Sequence, residues 1–176
     1  MEVKIRKETD ADHDQVAFII EEAFKNMPFS DQKEHSLVEK LRLSDTFIPE
    51  LSLIAEINDK IVGHILLSRL VIRNKENSFP SLSLAPLSVL PSFQKKGIGS
   101  KLIQEAHNRA INLGFQSIIL LGHEDYYPRF GYKMCKLFDI KVPFKAPDKN
   151  CMAIELTKDS LKLISGIVEY PPEFHE

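Results

Sequence analysis

Apolar and polar positions change period several times along the chain, and each change marks an element. Val3 and Ile5 alternate with charged neighbours, the pattern of a half-buried strand. Val16, Ile19, Ile20, Ala23 and Phe24 recur at helical intervals. Thr9 and Asp12 precede them at capping-box spacing, so a first helix is expected to about Lys25, with Pro28 breaking the pattern. Asp31 is placed to cap a second helix carrying Leu37, Val38 and Leu41. Residues 51–57 and 61–71 are strand-like, and Asn58-Asp59-Lys60 between them is a hairpin signal. A polar excursion over residues 73–80 leads to a central strand at 82–90. Leu102, Ile103, Ala106, Ala110 and Leu113 then line one helical face, and Gly114 suits a helix C-terminus. The uninterrupted run at 118–121 fits a strand covered on both faces. Residues 136–142 and 152–156 close the pattern as last strands. The order βααβββαβ, a short helix, then ββ predicts an α/β domain with a mixed, mostly antiparallel sheet.

Residues 82–121 organise the rest. A strand, a turn at Pro91-Ser92, the run Gln94-Lys95-Lys96-Gly97-Ile98-Gly99, a helix and a second strand form a crossover between parallel neighbours. The turn opens the helix, so unpaired backbone N–H groups and the positive end of the helix dipole face one point, which attracts phosphate. Two familiar phosphate loops fail letter by letter. Gly99 is followed by Ser100 and Lys101, the wrong order for a P-loop, and the third glycine of a dinucleotide fingerprint begun at Gly97 would fall on Leu102.

Composition narrows the rest. At 176 residues, 43% hydrophobic and 27% charged, the chain reads as one soluble domain over 1–176, with 158–176 an extension packed on it. A net charge of −2 gives no general attraction to nucleic acid or anionic membrane. No run approaches the ~20 apolar residues that span a bilayer. The start, MEVKIRKETD, is too polar for a secretory signal, and Cys135 and Cys151 read as free thiols, so a cytoplasmic protein is expected. No His/Cys/carboxylate spacing suggests a metal, and no Gly-x-Ser-x-Gly elbow suggests a hydrolase.

The turn Gln94-x-x-Gly97-x-Gly99, with Pro86-Leu87-Ser88-Val89 before it and a helix after it, resembles the pyrophosphate-binding turn of the GCN5-related N-acetyltransferase (GNAT) superfamily. The later stretch Tyr126-Tyr127-x-Arg129-Phe130-Gly131-Tyr132 is similar to the family's short helix ending in Tyr-x-x-x-Gly-[Phe/Tyr]. Together with the tail Gly166-x-Val168-x-Tyr170-Pro171-x-x-Phe174, these motifs look most like the bacterial YhbS-like branch. The resemblance implies a GNAT-like α/β (α+β) fold with a splayed central parallel strand pair flanked by helices. It also implies acetyl-CoA as acyl donor, held by Leu87, Ser88, Val89, Gln94, Lys95, Lys96, Gly97, Ile98, Gly99 and Ser100. Tyr127 takes the position near the coenzyme A sulfur, and the Val89 N–H that of the carbonyl contact. One departure is an asparagine that the family often carries before the tyrosine: none lies between Gly122 and Tyr127.

The implied reaction is direct transfer, in a ternary complex, to a primary amine of a small-molecule or peptide acceptor. Relatives of the fold often form homodimers. The alternative is an acyl-CoA-binding module or sensor without turnover. A phenol can protonate the departing thiolate, which suits Tyr127, though the same residue can simply bury its ring and bond its hydroxyl. Tyr126 reads as packing or acceptor-site lining, Arg129 as a surface ion pair or a phosphate contact. Glu124, His123, His64, Glu21 and Glu22 are the candidates for a general base, none singled out by its sequence setting. The acceptor, other acyl-CoAs and the oligomeric state leave no readable signature.

Overall fold

A computed structural model describes residues 1–176. In chain order it contains β1 (Lys4–Lys7), α1 (His13–Phe24), α2 (Glu34–Arg42), β2 (Phe47–Ile57), β3 (Lys60–Arg73), β4 (Ser78–Val89) and α3 (Ile98–Asn112). β5 (Ser117–Leu121), β6 (Lys133–Met134), β7 (Ile140–Lys141), β8 (Cys151–Glu155) and β9 (Gly166–Glu169) follow, with short 3-10 turns among them. The strands join in the order β1-β2-β3-β4-β5-β8-β6, with β9 bonded to β3 and β7. Two compact units share these elements: Met1–Ser68 with Ala85–Arg109, and Arg69–Leu84 with Ala110–Glu176. β3, β4 and α3 each begin in one unit and end in the other.

In the first unit β1 pairs antiparallel with β2, and β2 with β3. The two-residue loop between β2 and β3 has Asn58 and Asp59 at φ 49° and 61°, the left-handed pair a type I′ turn requires. Val16, Ile19, Ile20 and Ala23 of α1 and Val38 and Leu41 of α2 are buried, as the helical spacing predicts. Thr9 donates its N–H and hydroxyl to Asp12 at 2.7 and 3.0 Å, so the capping pair forms at the turn preceding α1. Arg6 grips Asp12 with two nitrogens, at 2.7 and 3.0 Å, and holds its carboxyl down to about 2. Asp31 does not cap α2: its carboxylate accepts the Lys33 N–H at 2.9 Å, closing a turn just before the helix begins at Glu34. On α3, Ile98, Leu102, Ile103 and Ala106 are buried. They approach β3 at Gly63, where an added Cβ would stand 3.1 Å from Leu102 and 3.4 Å from Ile98.

A buried polar cluster ties α2 to β2, β3 and Glu8, the residue that follows β1. Arg42 donates to both oxygens of Glu8 at 3.0 and 2.9 Å, Ser52 donates to Glu8 at 2.6 Å, and the Ser52 oxygen lies 3.1 Å from His64 Nε2. Burial pushes the Glu8 carboxyl up, but Arg42, His64 and Ser52 outweigh it and leave the group below its ordinary value. Burial drives the fully enclosed His64 the other way, to about 4, with Glu8 offsetting only part of the shift.

In the second unit β4 pairs parallel with β5 at Leu82–Ile118 and Ser83–Ile119, and the ladder stops there. The β4 strand continues past it, with a cis peptide at Ala85–Pro86. β5 pairs antiparallel with β8 over five residues, and β8 with β6. The expected strand at 136–142 is mostly a 3-10 turn, Cys135–Phe138, because Asp139 turns left-handed at φ 56° and leaves only Ile140–Lys141 extended. The tail supplies a strand not expected from its sequence: β9 pairs antiparallel with β3 and parallel with β7. Gly166, at φ +139°, makes this approach, since an added Cβ would overlap the Arg73 carbonyl. The core here gathers Leu70, Ile72, Ile119, Cys135, Ile140, Cys151, Ala153, Leu161, Val168 and Tyr170. Leu113 and Leu121, expected to face inward, are 45% and 39% exposed. Leu113 lies past the end of α3, in the turn that Gly114 closes at φ +90° by donating to Ile111. No helix is long and apolar enough to cross a membrane.

Candidate active site

In the first unit, the candidate site is the turn between β4 and α3. Leu90 donates to the Val62 carbonyl of β3 at 2.9 Å. Successive residues of a strand point their backbone groups to opposite sides, so the Val89 N–H is turned away from β3. Gln94 closes the turn by donating its side-chain amide to the Val89 carbonyl at 3.0 Å. Lys95 and Gly97 then take left-handed φ values of 61° and 83°, and Gly97 has open space where a side chain would stand. At the start of α3, Lys101 donates to Gly97 at 3.1 Å. The N–H groups of Ile98, Gly99 and Ser100 precede that bond and have no partner within the helix. Gln94, Lys95, Lys96 and Gly97 are exposed and Gly99 and Ser100 half-buried. Ser88 and Ile98 point their side chains inward, 1% exposed each, so they offer a ligand main chain only. Leu87 and Val89 are half-buried. Lys96 leans back over the Phe93 ring, 5.3 Å from its centroid.

In the second unit, the candidate site is the loop that follows β5. Tyr127 opens a 3-10 turn, Tyr127–Phe130, which Gly131 ends at φ +102°. Its ring meets Tyr126 and Tyr132 edge-on, with centroids 5.1 and 5.8 Å apart. On the other side it fills the space at Gly122: an added Cβ there would overlap Cε2 and stand 2.8 Å from Cδ2. Burial raises the Tyr127 hydroxyl above its ordinary value, with Tyr126 adding to the effect, so the group stays protonated and available as a donor.

The loop is held from a distance. Asn150, the residue before β8, donates to the Gly122 carbonyl at 3.0 Å and to Glu124 at 2.8 Å, and accepts the Gly122 N–H at 2.9 Å. No asparagine lies between Gly122 and Tyr127; Asn150 reaches this loop from 28 residues beyond Gly122. Sequence reasoning missed it because nothing local marks it; the antiparallel pairing of β5 with β8 is what brings it there.

The other candidates settle into structural contacts. Arg129 donates to the carbonyls of Tyr126 and Asp125, at 2.9 and 3.2 Å, and lies over the Tyr126 ring. The Glu124 carboxyl is held down to about 2, first by its own backbone N–H and then by Lys149 and Asn150, which makes it a weak base. His123 Nδ1 accepts the Asp125 N–H at 3.2 Å. Glu21 lies 3.6 Å from His35, and Glu22 lies 3.7 Å from Lys25. His64 is enclosed in the polar cluster of the first unit.

A mixed sheet with a parallel β4–β5 pair, a glycine turn opening the next helix and a Tyr-x-x-x-Gly-Tyr loop after β5 is the architecture of the N-acetyltransferase fold. The profile of the Acetyltransferase (GNAT) family matches residues 16–132, and the chain belongs to this family. Among its relatives is the Escherichia coli K12 protein described as an uncharacterized N-acetyltransferase, YjhQ, 34% identical over 143 residues and 79% of each chain. A GNAT acetyltransferase from Brucella melitensis, solved in complex with acetyl-CoA, is 31% identical with a TM-score of 0.81 over 98% of both chains. E. coli YhbS, solved in complex with CoA, has a TM-score of 0.89 over 100% of this chain and 93% of its own, at 21% identity, a likeness of fold.

Proposed function

We propose that the protein is an N-acetyltransferase that moves the acetyl group of acetyl-CoA directly to a primary amine, within a ternary complex, in the cytoplasm. The observation that carries this reading is the turn at 94–100: left-handed Lys95 and Gly97 set the chain so that several helix-start N–H groups lack internal partners. Such a fan of donors suits a pyrophosphate. The acetyl-CoA held by the Brucella relative supports it. In this scheme the N–H groups of Gly97, Ile98, Gly99 and Ser100 take the pyrophosphate, with Gln94 bracing the turn and Lys95 and Lys96 adding positive charge. The main chain of Leu87, Ser88 and Val89 takes the pantetheine arm.

The chemistry then needs three things. The amine must arrive unprotonated against a solution pKa of about 10.4. The thioester carbonyl must be polarised as it becomes an oxyanion; the Val89 N–H, turned away from β3, is the donor for that role. The departing thiolate must be neutralised, and the protonated Tyr127 hydroxyl serves as its donor. Burial makes the phenol a weaker acid, so the transfer relies on the same loss of water raising the basicity of the thiolate. No side chain is assigned as base: Glu124 is held too acidic, and an amine arriving neutral or through water needs none.

Calorimetric titration with acetyl-CoA, with CoA and 3′,5′-ADP as controls, tests the donor. Micromolar binding is expected, and its absence in folded protein would overturn the reading. A panel of amines with detection of released thiol then tests transfer. Tyr127→Phe should lower turnover by about 10²–10⁴-fold while leaving acetyl-CoA affinity intact. Binding with no thiol release from any amine would instead mark an acyl-CoA-binding module.

A further inference from the structure

Cys135 and Cys151 are buried free thiols of one apolar cluster in the second unit. β6 and β8 run antiparallel, with Lys133 opposite Ala153 and Met134 opposite Met152. The ladder ends there; its register, extended one step, leads to Cys135 and Cys151, of which Cys135 begins a 3-10 turn. Directly opposed residues of an antiparallel pair carry their side chains on the same face, with Cβ atoms about 4.5–5.5 Å apart. A disulfide asks for about 3.5–4.5 Å, a small closing movement. Cys135 is the first residue of a 3-10 turn, where the ladder no longer fixes its spacing.

Both cysteines also line one cavity of about 370 Å³, together with Lys136, Lys141, Asp139 and Asp148. A molecule the size of water occupies about 30 Å³ in the liquid, so a small oxidant fits. The thiols sense one another: burial pushes Cys135 up to about 12, and Cys151 adds to the rise. Cys151 is raised too, by burial and then by Asp148, and is the more accessible at 6% exposure against 2%. Its Sγ–H points at the Pro147 carbonyl, 3.5 Å away.

We propose that Cys135 and Cys151 form a dithiol modification site that closes to an intrachain disulfide when hydrogen peroxide enters the cavity. The Cys151 thiolate attacks one peroxide oxygen, the O–O bond breaks, and a sulfenic acid and hydroxide result. The Cys135 thiolate attacks that sulfur, the S–S bond forms and a second hydroxide leaves. The two thiol protons convert the hydroxides to two waters, so the dithiol gives up two electrons and the peroxide is reduced. The bond joins the 3-10 turn to β8 one residue from Asn150, the anchor of the Gly122–Tyr127 loop. The proposal stands apart from acetyl transfer and holds whatever the substrate.

The test uses the full chain, reduced and then exposed to hydrogen peroxide, with free thiols alkylated in denaturant and the intact and peptide masses measured. Circular dichroism before the quench confirms that the treated protein is folded. The expected product is lighter by two hydrogens, takes up no alkylating agent, yields one peptide pair linked through Cys135 and Cys151, and reverts with dithiothreitol. Because the reactive species is the thiolate, the rate should rise about tenfold per pH unit through the neutral range. Cys135→Ser should stop at a sulfenic acid that dimedone traps at Cys151. Two alkylatable thiols after treatment of wild type, sulfinic acid on either cysteine without a linked peptide, or disulfides between chains would each overturn the proposal.

Discussion

Gly122 and Tyr127 share one space: the ring lies where the glycine's side chain would be. Gly122→Ala must therefore push the ring away from its seat between Tyr126, Tyr132 and the loop backbone. If Tyr127 is the donor to the thiolate, a displacement on the order of 1 Å should cost turnover about 10²-fold with little change in acetyl-CoA affinity. Steady-state kinetics beside calorimetry checks it, and equal loss of both would place the glycine's role elsewhere. A second expectation concerns pH. Burial holds His64 and His107 down to about 4 in the fold, against an ordinary value near 6.5. Between those values the unfolded chain binds protons at both histidines and the folded chain does not, so stability falls as pH drops through that window. For His64 alone the loss is up to roughly 3 kcal/mol. Glu8, held below its ordinary value, acts in the same direction at still lower pH. Urea denaturation from neutral pH down to about 4 should show the decline, and a flat profile would contradict it.

At the scale of elements, the turn at 94–100 is the most sensitive to backbone geometry. Gly97 has open space around it, so Gly97→Ala meets no clash and pays only for its left-handed φ of 83°. The expected cost is about 1 kcal/mol of stability. A turn that relaxes to relieve that strain tilts its N–H groups, and acetyl-CoA affinity should drop about tenfold, measurable by the same titration. An unchanged affinity would mean that the turn does not hold the pyrophosphate. Elements of this kind were legible because their signals are local. Asn58-Asp59 specified its own hairpin, Gly114 closed α3 where the apolar spacing ended, and the two glycines stood at the mouth of that helix. Where a partner from far along the chain decides, the reading failed. Residues 136–142 read as a strand, yet the left-handed Asp139 breaks them. Gly166–Glu169 looks like a tail, yet it pairs with strand ends at Arg73 and Lys141. The contacts of Asn150 with Gly122 and Glu124 belong with these, since residue type at 150 says nothing until β5 and β8 are paired.

At the scale of the whole molecule, the last residues belong to the core of the second unit. Val168 and Tyr170 are buried there, and Phe144 and Phe174 pack against Tyr170, with ring centroids 4.9 and 5.0 Å away. A chain ending before Gly166 loses β9 and these aromatic contacts together. It should be destabilised by at least about 3 kcal/mol, which for a chain of this size lowers Tm by about 6 °C or more in a thermal melt. A truncated chain that melts with the full one would show the tail to be peripheral. Because β3, β4 and α3 each pass from one unit to the other, neither unit is continuous in sequence. On the ribosome this sets an order of completion. The first unit waits for residue 109, and the second stays open until the final strand has left the exit tunnel, nearly a hundred residues after the end of β3 that it must find. Until then Val71–Arg73 present an unpaired edge, so nascent chains stalled before Gly166 are the stage at which a holding chaperone would have the most to cover.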